Sequence, residues 1–171
     1  MNDSAARLLD AFSGPAGLGP AEGVAPRLRE ILTRGIARRG DVLVWADSVG
    51  NAAKAPSIFP DLTGWECADS SFHIDDFVPV TIDTVDDEPW ISESDQRLLL
   101  QHGIAFALQL SQLIYELDAR VPVRCIVGAN TSNATFRFHQ IRAGETWNNP
   151  DLDKYRLDKI AVLDITPDRS L

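Results

Sequence analysis

Between residues 55 and 96 the chain has no lysine and no arginine, yet that stretch holds Asp61, Glu66, Asp69, Asp75, Asp76, Asp83, Asp86, Asp87, Glu88, Glu93 and Asp95. The two flanking segments are each close to balance, so this one region accounts for the net charge of -9. Nucleic-acid binders displace counterions from phosphates with clustered basic side chains, and this charge distribution has the wrong sign for that. Direct DNA or RNA binding is therefore not expected. Cysteine is scarce too: Cys67 and Cys125 are too few for a disulfide framework or an unaided four-ligand zinc site, and both read as reduced thiols. Glycine-rich phosphate loops, a nucleophile elbow, paired-cysteine motifs and a zinc-protease signature are all missing. Their absence weighs against an enzyme, and neither a cofactor nor a metal is expected. The opening residues, MNDSAARLLDAF, lack the basic start and long apolar run of a secretory signal. The most apolar stretch, Leu98 to Leu117, is interrupted by Gln101, His102, Gln109, Ser111 and Gln112, so it reads as an amphipathic helix rather than a membrane span. A cytoplasmic protein without a membrane partner is the expectation.

With 44% hydrophobic residues in 171, the chain can bury most of one core. That core is organised around Glu93 to Leu117. Leu99, Gly103, Phe106, Leu110, Leu113 and Leu117 recur at helical spacing, widened by Leu100, Ile104, Ala107 and Ile114, while Arg97, Gln101, Gln109, Gln112 and Glu116 take the other side. Ser92 caps the first turn, and Glu93 and Asp95 complement the helix dipole. Arg120 and Pro122 mark the far end. Glycine is costly mid-helix, so Gly103 on the apolar face predicts a closely approaching neighbour.

Taken in order, Ser4 to Phe12 predicts a short helix, and the glycines and prolines of residues 14–23 predict a linker, leaving residues 1–23 as a loosely attached N-terminal segment. A second helix is expected from Pro26 to Gly40, with Leu28, Ile31, Leu32 and Ile36 on one face. Val42 to Ala46 reads as a central strand buried on both sides. The next section, to Ile91, carries breakers at Gly50, Pro56, Pro60, Gly64, Pro79 and Pro89 and is expected to be loop-rich, with one edge strand over Phe77 to Asp83. Alternation on VRCIV and ATFRFHQIR around GANTSN predicts a β-hairpin that turns Cys125, Phe136 and Phe138 inward and Arg137 and His139 outward. Lys159 to Ile165 supplies a last strand before Pro167. The expected architecture is a single α+β domain over residues 1–171, a largely antiparallel sheet with the long helix packed on one face.

Candidate chemistry is sparse. His73 beside Asp75 and Asp76 lacks a second His or Cys at ligand spacing, and Asp83, Asp86, Asp87 and Glu88 lack the alternation and central glycine of a calcium loop. Asn130-Thr-Ser and Asn133-Ala-Thr match glycosylation sequons but read as turn residues. Arg124, Arg137, His139 and Glu145 could form a small phosphate-cleaving site, although polar residues on an exposed sheet face need no function. The acidic segment differs because aromatics interleave with its carboxylates. Trp65 and Trp90 are candidate partner anchors, with Glu66, Asp69, Asp75, Asp76, Asp83, Asp86, Asp87 and Glu88 around them.

In kind, though by no shared motif, such a chain resembles the small cytoplasmic immunity proteins of bacterial toxin systems. The resemblance implies a protein inhibitor that occludes a basic toxin domain with an acidic, aromatic surface. A secretion chaperone or adaptor, using the long helix as its client surface, is the alternative among binding proteins.

Overall fold

The computed structural model describes residues 1–48, 58–117 and 121–166. Gly50, Pro56, Arg120 and Pro167, read above as breakers or helix ends, lie outside them.

The long helix, α4 (Glu93–Tyr115), begins where expected: Ser92 Oγ accepts the amide of Asp95. Its apolar stripe lies on a four-stranded antiparallel sheet ordered β3–β7–β6–β8, where β3 is Phe72–His73, β6 Val123–Ala129, β7 Ala134–Gln140 and β8 Lys159–Ile165. Val123, Cys125 and Val127 of β6 and Phe136 and Phe138 of β7 face the helix and are completely buried. The ring of Phe106 meets Phe136 edge-on at 4.8 Å, and Trp45 meets Phe138 at 5.0 Å. Gly103 is where helix and sheet touch: a β-carbon there would overlap Val127 and come within 2.9 Å of Ile74. The fold is α+β, as composition and periodicity predict.

Several elements differ from expectation. Helix α2 (Pro26–Ile31) stops early, passes through a 3-10 turn, and meets Gly35 at φ +67. Ile36 then starts a strand, β1 (Ile36–Arg39), which pairs with β2 (Val42–Trp45) across a turn at Gly40, φ +62. Strand β2 is buried on both faces, but in this two-stranded ribbon rather than at the centre of the main sheet. Leu43 and Trp45 enter the main core, while Val42 and Val44 pack on Trp65. A helix, α3 (Leu62–Ser70), stands in the section expected to be loop-rich, capped by Asp61, whose carboxylate accepts the Gly64 amide at 2.7 Å. The edge strand is β3, not Phe77 to Asp83; strand structure resumes only at β4 (Ile82–Val85), which pairs with β5 (Glu88–Ile91).

The first residues are held against the start of β8. Asn2 caps α1 (Asp3–Leu8) through Ala5 and also bonds the backbone of Ile160 and Asp158, and Ala5 and Leu9 are fully buried.

Candidate partner-binding surface

Residues 81–90 are exposed throughout, as one projecting hairpin built from β4 and β5. Asp86 and Asp87 form its turn at φ +52 and +63. A two-residue hairpin turn requires this left-handed backbone, which aspartate tolerates better than most residues. So short a ribbon is marginal by itself. Its base is therefore anchored: Ile91 is fully buried, its amide donates to the Thr131 carbonyl at 2.7 Å, and its carbonyl accepts Gln96 Nε2 at 2.7 Å.

The register sorts the exposed side chains by face. Asp83 opposes Trp90 and Val85 opposes Glu88, so alternation places these four together. Trp90 is 44% exposed and Val85 47%. This face is an apolar pair flanked by carboxylates, with Asp86 and Asp87 at the tip. Among the described residues, none of Asp83, Asp86, Asp87 and Glu88 makes an ion pair, whereas Arg34, Arg124 and Arg142 are each matched to a carboxylate elsewhere. The field of the hairpin is thus uncompensated locally.

The other acidic-segment residues lie elsewhere. Trp65 is buried against Val42 and Val44. Glu66 is wholly buried: its carboxylate accepts the amides of Leu43 and Gln140 and pairs with Arg142 through two contacts of 2.7 Å. It joins α3, the β1–β2 ribbon and the end of β7. Asp69 accepts from Ser48, and Asp75 accepts the Ala134 amide at 2.8 Å, 4.0 Å from His73. Asp76 is exposed beside Asp75. The ten residues grouped by sequence therefore separate into a structural set (Trp65, Glu66, Asp69, Asp75) and a surface set (Asp76, Asp83, Asp86, Asp87, Glu88, Trp90).

Arg124, Arg137, His139 and Glu145 also go to separate tasks. Arg124 forms a two-contact pair with Asp164 at 2.7 and 2.8 Å, which holds the Asp164 carboxyl below its ordinary range. Glu145 accepts the Thr63 amide at the start of α3. His139 does point away from the main core, yet it is only 2% exposed; its Nδ1 lies 2.8 Å from the Gln140 carbonyl, and burial lowers its pKa. Arg137 lines a cavity, over the Trp147 ring. Both thiols are buried, and desolvation pushes Cys67 up to about 12 and raises Cys125 as well, which removes thiolate chemistry at neutral pH. Among the described residues no group of three or more His, Cys, Asp or Glu converges on a point.

Fold and surface define an α+β protein whose exposed acidic hairpin stands on a helix-backed antiparallel sheet. The chain belongs to the uncharacterized protein PM0498 family, whose family model matches residues 18–171 and so takes in every α-helix and β-strand but α1. No curated protein and no solved structure matches it.

Proposed function

We propose that this chain is a cytoplasmic protein-binding inhibitor, most like a bacterial toxin-immunity protein, and that the β4–β5 hairpin enters a basic active site on its partner. The observation that carries the reading is the hairpin face itself: Trp90 and Val85 exposed beside Asp83 and Glu88, with Asp86 and Asp87 at the tip and no local counter-charge among the described residues. An aromatic anchor supplies buried contact area, and one-signed charge speeds encounter and rejects wrong partners. A toxin that acts on a nucleotide or nucleic acid must hold phosphate, so carboxylates can stand in for its substrate. The chaperone reading rests on Leu108 and Tyr115, which are 59% and 54% exposed and seven residues apart on α4.

The test is co-purification of the tagged chain with the toxin-like product of a neighbouring gene, using Asp86→Asn/Asp87→Gly/Glu88→Gln as the control. The partner is retained by the parent chain and lost by the variant, whose circular dichroism is unchanged. Equal retention of that partner by a Leu108→Ser/Tyr115→Ser variant supports the inhibitor reading; a non-toxic secreted client that is lost by this variant and kept by the hairpin variant favours the chaperone.

A further inference from the structure

The sheet face turned away from α4 is partly covered. Residues 147–158 pass over it and, with the strands, line a half-open cavity of about 340 Å³, the lower end of what small-molecule sites occupy. Its floor is Gly128, opposite Thr135 on one side and Ile160 on the other, with Ile126 in the adjoining row. Glycine creates this space: a β-carbon at Gly128 would meet only Thr135 Oγ1, at an ordinary 3.6 Å, and the position has no positive φ to require glycine.

Three polar groups in the wall have capacity left for a ligand, and one of them, Asn148 Oδ1, is buried with no partner among the described residues. The Arg137 guanidinium lies 5.2 Å from the Trp147 ring centroid and 3.5 Å from Thr135 Oγ1, and no carboxylate among the described residues pairs with it. Burial without an anion lowers its pKa. Asn148 is 5% exposed; its Nδ2 donates to the Asn149 carbonyl, but its buried Oδ1 has no donor among the described residues. Buried polar atoms are rarely left so, because each forfeits its solvation. Asp158, at the opposite corner of the floor, is half-buried and accepts a bond on Oδ1 from Asn130.

We propose that this cavity binds a small zwitterion of the amino-acid class, with its carboxylate on Arg137 and its ammonium group directed to Asp158 and Asn148 Oδ1. A guanidinium presents paired donors that match a carboxylate. One arginine and one aspartate leave the cavity neutral in sum, which disfavours a phosphate dianion and suits a ligand carrying both signs. The site is separate from the docking hairpin and stands or falls without it.

The purified full-length chain is titrated with each of the twenty amino acids at millimolar concentration by calorimetry and thermal shift. At least one binds and raises the melting temperature, while its N-acetyl and its carboxamide forms, each lacking one charge, bind roughly tenfold or more weakly. Gly128→Val keeps the fold and abolishes binding by filling the floor; Arg137→Gln and Asp158→Asn weaken it by about tenfold or more with the fold retained. Should Gly128→Val fail to fold, the Asp158→Asn change, which keeps the bond from Asn130, decides. The proposal is overturned if no amino acid binds, if the N-acetyl form binds as well as its parent, or if the folded variants bind as the parent chain does.

Discussion

Gly103 sits where no side chain fits, so Gly103→Ala pits a gain in helix propensity against collision with Val127 and Ile74. Overpacking of a dense core costs about 1–3 kcal/mol and outweighs the propensity gain of about 1 kcal/mol. Urea unfolding of the variant should show a net loss of stability. Glu66→Gln should cost more, about 3–5 kcal/mol, because it leaves the largely buried Arg142 charge with only Glu145, 4.0 Å away, as a carboxylate partner. A near-neutral midpoint shift would mean that water reaches Arg142. Glu66 also shows where residue-level reading stops. Its acidity marks it as surface, and the partner that permits burial, Arg142, lies 76 positions later. Gly103 was legible because its reason is local: a glycine within a helical apolar stripe implies contact.

At the scale of elements, the hairpin turn offers a clean separation of charge from shape. Asn-Gly is the preferred pair for a turn with two left-handed residues, so Asp86→Asn/Asp87→Gly removes two charges and should leave the melting temperature equal or higher. Lysine at either position would add backbone strain and confuse the result. The elements themselves were legible in proportion to the length of their pattern. α4 spans six turns of periodic sequence and β6 and β7 alternate over seven residues each, so period and register follow from the chain alone. α3 was missed because LTGWECADS is short and poor in strong helix formers, and its stability comes from the Asp61 cap and packing on β2 and β7. β1 was missed because Ile36 continues the helical spacing of α2, and only the backbone at Gly35 reveals the break. Of the candidate surface, the unbroken acidity is legible in the sequence but the hairpin is not, because Asp86-Asp87 is not one of the usual Asn-Gly or Asp-Gly turn pairs and Pro89 reads as a breaker. The cavity beneath residues 147–158 joins segments far apart in sequence.

For the whole molecule, two buried histidines set the response to mild acid. Burial lowers the pKa of His102 and of His139 from 6.5. Above that value both rings are neutral in the folded and unfolded chain; below it the unfolded chain takes up protons first, so stability falls as pH drops from about 6.5 towards the folded values. His102 Nδ1 accepts the Ala25 amide at 3.2 Å, a bond that protonation at that nitrogen would remove. Melting temperatures should decline between about pH 7 and about pH 5.5, and His102→Asn/His139→Asn should flatten that slope. An unchanged slope would place the titrating groups elsewhere.

The association proposed for the hairpin would have a kinetic signature that separates charge from contact. Exposed carboxylates act over a screening length of about 8 Å at physiological salt, so on this proposal they would govern the rate of encounter and the Trp90 ring would govern escape. The deciding measurement is the association rate constant with the purified partner as a function of ionic strength, for the parent chain and for Asp86→Asn/Asp87→Gly/Glu88→Gln. The parent should associate at least about tenfold faster at low salt and lose that advantage as salt rises, with the variant nearly salt-independent and Trp90→Ala changed mainly in dissociation. Identical association rates and salt slopes in parent and variant, with the fold intact in both, would contradict docking through the acidic hairpin.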